Sequence, residues 1–326
     1  MLIRMAHGSG GKETSTLIQQ IFAKHFHNPI LNEMEDAAVL SVKGKIAFTT
    51  DSFVVTPLFF RGGDIGRLAI CGTVNDLLMQ GAIPKYLTAA FIIEEGMPLK
   101  DLEKIAVSMS EAAKEAGVMI VAGDTKVIEG NGGIYINTSG IGEIDDNLIM
   151  SAKNCSVGDI VILSGTLGDH HACILSHRMG IENTISSDAT PLNEPVLALI
   201  KAGIKVKAMR DVTRGGLGTV LNEMAEASHK KITLDEQSLP VGEEVRGLCD
   251  ILGLDPLYMG NEGKFIAVIE QSDKEKALKL FHTTEIGKRA AIIGEVSEGE
   301  GVTLVTTLGG SRHIDVLYGE GLPRIC

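Results

Sequence analysis

The sequence predicts an α+β protein made of two α/β domains and a flexible C-terminal tail. Three observations carry that expectation. At 326 residues the chain exceeds what one ordinary hydrophobic core serves. Strand and helix patterns alternate through the first half and start afresh around residues 145–157. From Leu308 onward the apolar periodicity stops. The expected divisions are 1–148, 149–307 and a tail, 308–326. No fixed-period repeat runs through the chain.

Taken in order, a glycine-rich loop from Met5 to Lys12 leads into a helical pattern carried by Leu17, Ile18, Ile21 and Phe22. Its spacing is wrong for a GxxxxGK[ST] phosphate loop, and no strand precedes it. Two short strands, 37–42 and 45–50, flank a turn at Gly44. Residues 65–79 have helical apolar spacing that stops at Gly81. A strand covers 84–94, and an amphipathic helix over 99–116 ends at Gly117. Residues 118–122 read as a buried strand, 123–125 as a turn, and 133–142 as another strand. In the second domain, strands fall at 159–164, 264–270, 291–296 and 302–305. Helical patterns fall at 168–179, 193–202, 241–251 and 273–281. The loop 211–216 opens a further helix that runs to Ala227.

A net charge of -12, no tryptophan and few aromatics argue against nucleic-acid binding, which needs a basic face and rings to stack bases on. Carboxylates that hold metal ions still let an acidic protein take a nucleotide. The five cysteines form no CxxC pair, which excludes a disulfide framework and a zinc site and suits a reducing compartment. The N-terminus has no apolar run of signal-peptide length, and no apolar stretch approaches about 18 residues. The expected location is the cytoplasm, away from membranes. Cys326 stands at the end of a glycine- and proline-containing arm, where a side chain can travel. It reads as a carrier thiol. Fully extended, the stretch from Gly309 to Cys326 spans about 55–60 Å.

Four aspartates sit where glycines and turns meet regular structure: Asp36, Asp51, Asp76 and Asp124. Each alone reads equally as a cap or turn residue. Asp51 and Asp124, however, interrupt apolar strand ends, where ligands gather in open α/β layouts. Asp211 to Leu217 adds a second-domain motif. Gly215 and Gly216 at a helix start would offer backbone N–H groups to an anion, and Arg214 a fixed positive charge. Asp211 either closes a metal site from across the domain cleft or caps an ordinary helix.

The ordered motifs His7–Gly11, Glu35–Val39, Thr49–Ser52, Asn75–Leu77, Gly123–Lys126 and Asp211–Leu217 resemble an ATP-binding superfamily. It includes aminoimidazole ribonucleotide synthetase, selenophosphate synthetase and thiamine-phosphate kinase. The ending Pro323–Cys326, with Lys126 and Glu129, is similar to its hydrogenase-maturation branch, the HypE family. The resemblance covers nearly the whole chain. It implies a first domain whose strands form a β-barrel shared across a homodimer, and an ATP-dependent carbamoyl dehydratase using Mg2+. Asp51, Asp76 and Asp211 would hold metal and phosphates. Asp36 and Asp124 would lie nearby, and the loop with Gly10 and Gly11 would fold over the nucleotide. HypF would place a carbamoyl group on Cys326. Dehydration would leave a thiocyanate that passes its cyanide to the HypC–HypD complex for the [NiFe]-hydrogenase iron. Two departures are Glu35, where relatives often carry a second aspartate, and the sequence Gly168–His171, where a glycine is expected after the first histidine.

The implied chemistry assigns roles. Phosphorylating an amide-like oxygen makes it a good leaving group, which calls for neutralised phosphate charge. The nitrogen must then lose protons to a nearby base. Glu129 is the expected base, with Lys126 stabilising the anionic oxygen and polarising Glu129; on residues alone the two read as a surface ion pair. The α-carboxylate beside Cys326 should raise its thiol pKa and Arg324 partly offset that, so an activated carbamoyl donor is needed. Two alternatives are a same-fold enzyme that phosphorylates a free small molecule and a non-catalytic nucleotide-binding carrier.

Overall fold

A computed structural model describes residues 2–34 and 37–317. Asp36 and Cys326 lie outside the described residues. The N-terminal loop leads into α1 (Lys12–Leu17), which continues as a π-helical stretch over Ile18–Ala23. Phe22 stacks on Phe91 with ring centroids 4.4 Å apart, which pins this segment to the first sheet.

The first domain then runs β1 (Lys45–Phe53), a short hairpin of β2 (Phe59–Phe60) and β3 (Gly63–Asp64), α2 (Ile65–Met79), β4 (Ile83–Glu94), α3 (Leu99–Ala116), β5 (Met119–Ile128) and β6 (Ile134–Ile144). Its sheet has the order β1-β6-β4-β5, with only β4 and β5 parallel. Side chains alternate across it. Leu87, Ala89, Phe91 and Ile93 of β4 are buried, whereas Ile92 between the last two is 45 % exposed. On that same open face Phe48 is 68 % exposed. Within the described residues of one chain the sheet is open, with β1 and β5 as its edges, and closes no barrel.

Helix α2 is buried nearly all round, because sheet, α3 and second domain surround it. Asp64 caps it by accepting from the Arg67 N–H at 2.9 Å. Gly72 lets it approach β1: a Cβ there would stand 2.7 Å from the Phe53 ring.

The second domain contains β7 (Ile160–Leu163), α4 (Asp169–Met179), α5 (Asn193–Lys201), β8 (Val206–Asp211), α6 (Gly216–Ser228), β9 (Lys231–Asp235), α7 (Glu243–Leu252), β10 (Phe265–Ile269), α8 (Lys274–His282), β11 (Ala291–Ser297), β12 (Val302–Val305) and β13 (Ser311–Ile314). Its seven strands lie in the order β13-β12-β9-β11-β7-β10-β8. The central strands β7 and β10 are buried at every position, which accounts for their unbroken apolar runs.

Several expectations change. Residues 37–42 form no strand. β1 continues through Asp51 to Phe53, and β5 continues through Asp124 to Ile128, so neither aspartate ends its strand. β8 and β9 join the sheet although neither was expected as a strand. The segment after Leu308 is not all tail: β13 pairs antiparallel with β12, and Ile314 is buried.

Candidate active site

Side-chain alternation turns Asp51 of β1 toward α2, where Asp76 projects from the last turns of the helix. Asp76 accepts the Thr49 hydroxyl at 2.9 Å. Asp211, at the end of β8, faces them from the second domain. A cavity of about 320 Å³ opens between these elements, with Thr49, Asp76, Arg210 and Asp211 in its wall. Glu262, in the loop before β10, completes the acidic group; its environment includes Asp211 and Asp51.

Four carboxyl groups so placed resist ionisation. Burial, then the charges of Asp76 and Asp51, push Asp211 up to about 7, with Arg210 as an opposing influence. Burial raises Asp51 against a hydrogen bond from the Ser52 N–H and the pull of Arg214. Asp76 is raised chiefly by burial and next by Asp51, against the Thr49 bond and Arg210. Glu262 is raised well above the usual range by burial and by Asp188, Asp211 and Asp51. Cationic charge would relieve all four.

The donors are all oxygens, which suits Mg2+. Among the described residues no three His, Cys, Asp or Glu side chains converge tightly enough to hold a metal unaided. Mg2+ takes one or two carboxylates and completes its shell with water and phosphate, so the residues fit that ion when it arrives with a nucleotide.

Beside this group α6 begins on two glycines. Gly215 and Gly216 have φ of 80° and 63°, a left-handed backbone that residues with a Cβ rarely adopt. A Cβ at Gly216 would lie 2.5 Å from the Leu257 carbonyl oxygen. The exposed Arg214 precedes them, and its charge reaches Asp51 and Glu262.

The remaining expected residues gather elsewhere. A cavity of about 510 Å³ lies under the N-terminal segment, with Gly10, Phe22, Phe91 and Val39 in its walls and Asp124 and Lys126 among its lining residues. Gly10, at φ 81°, donates its N–H to the Thr14 hydroxyl at 3.0 Å, and Gly11 caps α1 outside the lining. Lys126 pairs with Asp124 at 2.9 Å and holds that carboxyl below its usual range. No ion pair joins Lys126 to Glu129 among the described residues, which corrects the expected polarising contact. Glu129 stands one residue beyond β5.

Within one chain, then, Asp51, Asp76, Asp211, Arg214, Gly215 and Gly216 form one group, and Gly10, Asp124 and Lys126 another. β1 and β5 are opposite edges of a four-stranded sheet, about 14 Å apart at about 4.8 Å per strand. Sequence reasoning missed Glu262. A signal was available: Gly260–Gly263 is a polar, glycine-bearing turn directly before the apolar strand Phe265–Ile269.

Two family models match, AIR synthase related protein N-terminal domain over residues 34–144 and C-terminal domain over 156–307. Carbamoyl dehydratase HypE of Escherichia coli (strain K12) is 45 % identical over 334 residues, covering 99 % of each chain. A crystal structure of hydrogenase maturation protein HypE in complex with ATP aligns with TM-score 0.95 and 44 % identity, covering 99 % of each chain. A chain from a HypE–HypF complex aligns with TM-score 0.82 and 50 % identity, over 92 % of this chain and 99 % of that one. With both domains matched by family models and nearly the whole chain covered at 45 % identity, the chain belongs to the carbamoyl dehydratase HypE family.

Proposed function

We propose that this chain uses ATP to remove water from an S-carbamoyl group carried on its own Cys326, leaving a thiocyanate that supplies cyanide for a [NiFe]-hydrogenase iron centre. The observation that carries the reading is the meeting of Asp51, Asp76 and Asp211 with Arg214 and the N-terminus of α6 at the junction of the two domains. The similarity to an ATP complex and to carbamoyl dehydratases supports it.

Mg2+, when bound with ATP, would neutralise phosphate charge. Asp51, Asp76 and Asp211 would hold it. Arg214 and the backbone N–H groups at Gly215 and Gly216 would orient the phosphates. The γ-phosphoryl group moves from ATP to the carbamoyl oxygen, and ADP is the leaving group. The C–O bond then breaks, phosphate leaves with that oxygen, and the nitrogen gives up both protons as C≡N forms. Glu129 takes one of these protons, the departing phosphate takes the other, and Lys126 neutralises the developing oxyanion.

A homodimer would complete the site. The open sheet face carries exposed Phe48, Ile92 and Tyr135, a surface suited to cover by a second copy. Strands of two such sheets meeting in a shared barrel would bring β5 of one protomer, with Asp124 and Lys126, toward β1 of its partner. HypF would load Cys326, in keeping with the relative solved with HypF. The HypC–HypD complex would accept the cyanide. Four buried free thiols, Cys71, Cys155, Cys173 and Cys249, suit the reducing cytoplasm. Among the described residues no helix is long and apolar enough to cross a membrane.

The test is intact mass after incubation with HypF, carbamoyl phosphate and ATP. The expected product is a carbamoyl adduct on Cys326 that loses the mass of one water only when ATP is present. Glu129→Gln should accumulate the undehydrated adduct. An adduct indifferent to ATP, or ATP consumed only with a free small-molecule acceptor, would overturn the reading.

A further inference from the structure

The motif Asn75–Leu77 supplies Asp76 to the site, but its first residue does other work. Asn75 is 2 % exposed and points from α2 into the second domain. Its amide donates to the carbonyl oxygens of Thr190 at 3.1 Å and Glu262 at 3.2 Å, and its own oxygen accepts the Leu192 N–H at 2.9 Å. One side chain therefore holds two separate second-domain segments.

Those segments also hold each other. Asp188 accepts the N–H groups of Glu262 and Gly263 at 3.0 and 3.2 Å and pairs with Lys264 at 3.0 Å. Two turns earlier on α2, Arg67 donates to the Ala189 carbonyl at 2.7 Å while its guanidinium pairs with Glu115. Helix α2 thus grips the stretch 189–192 at both ends, and Asp188 carries that grip to the loop bearing Glu262.

We infer that Asn75 is a positioning residue that holds the second-domain carboxylates, Asp211 and Glu262, in register with Asp51 and Asp76 of the first. The argument is geometric. Asp76 adjoins Asn75 on the same helix, so any slip of α2 against the 190–192 and 262 backbones changes the spacing between the two pairs of carboxylates. Asn75 itself bonds only main-chain atoms, so its hold does not depend on which side chains Thr190, Leu192 and Glu262 carry. This inference rests on the proposed metal–nucleotide role of the site.

The experiment measures Mn2+ binding to the full-length protein by electron paramagnetic resonance, with a non-hydrolysable ATP analogue present. Wild type should bind, and Asp76→Asn should abolish binding. Asn75→Ala, verified as folded by circular dichroism, should weaken Mn2+ about tenfold or more, the scale seen when residues that orient metal ligands are removed. Its affinity for the analogue without metal should stay near wild type, which a general loss of structure would not allow. Should Asn75→Ala fail to fold, Arg67→Gln, which loosens the same grip, carries the test with an expected several-fold loss. Wild-type Mn2+ affinity in a folded variant overturns the inference alone. Absence of Mn2+ binding by wild type overturns the metal role of the site and the inference with it.

Discussion

Replacing Asp211 by Asn should make the ligand-free protein more stable, although it removes a residue assigned to the site. The carboxyl goes from an ordinary value of 3.8 to about 7 on folding, because burial and the neighbouring Asp76 and Asp51 oppose its charge. Between those two values the folded chain keeps a proton that the unfolded chain has lost, so stability falls as pH climbs through the window and levels off above 7. The full interval corresponds to about 4 kcal/mol at about 1.4 kcal/mol per tenfold change in proton affinity. Solvent in the cavity reaches part of the carboxyl, so the expected gain at pH 8 is about 2 kcal/mol. Asn keeps the shape, and its amide N–H has Asp76 nearby to accept it.

The assay is denaturant unfolding of wild type and Asp211→Asn at pH 5 and pH 8, with chelator and without nucleotide. Asn should be the more stable at pH 8, and its advantage should shrink by about 1 kcal/mol at pH 5, where the wild-type carboxyl is protonated. Adding Mg2+ and ATP should invert the order, since ligand at about a hundred times its Kd stabilises the binding-competent protein by about 2.7 kcal/mol. A variant less stable than wild type at pH 8, or equally displaced at both pH values, would refute the reasoning.

Two other perturbations have definite expectations. Lys264→Met should destabilise by about 3 kcal/mol, because it leaves Asp188 buried without its cation, and adding Asp188→Asn should restore most of that loss in a double-mutant cycle. Phe48→Asp places a charge on the open sheet face, so sedimentation should report monomer where wild type is expected to report a dimer, with monomer stability changed by less than about 1 kcal/mol; a variant as dimeric as wild type would remove that face from the proposed dimer interface.

Elements whose signals are local were legible in the sequence. α3 shows its apolar stripe and its stop, Gly117 at φ 69°, and α2 shows continuous apolar character because it is packed on every side. What misled was glycine with two uses. Gly123 reads as a turn, yet it sits mid-strand because a Cβ there would lie 2.4 Å from the Ala89 carbonyl of the neighbouring strand. β13 escaped notice because three of its four residues are exposed, and β9 because it begins and ends on charged residues. In the site, the aspartates stood out by interrupting apolar strands. Asn75 and Asp188 did not, since their partners, backbone atoms and for Asp188 also Lys264, lie far away in sequence.

The same crowding that makes the acidic group costly ties it to the domain junction. Asp51 and Asp76 belong to the first domain, Asp211 and Glu262 to the second, so their repulsion acts across the contact that Asn75 and Arg67 hold. Without cation the hydrogen bonds work against that repulsion, and with cation both act in the same direction. Binding of a metal–nucleotide complex at this group would therefore tighten the junction as well as fill the cleft. A carbamoylated Cys326 arriving from its tail would then meet a site whose phosphate-facing groups are already set, which favours phosphoryl transfer to the carbamoyl oxygen over transfer to water.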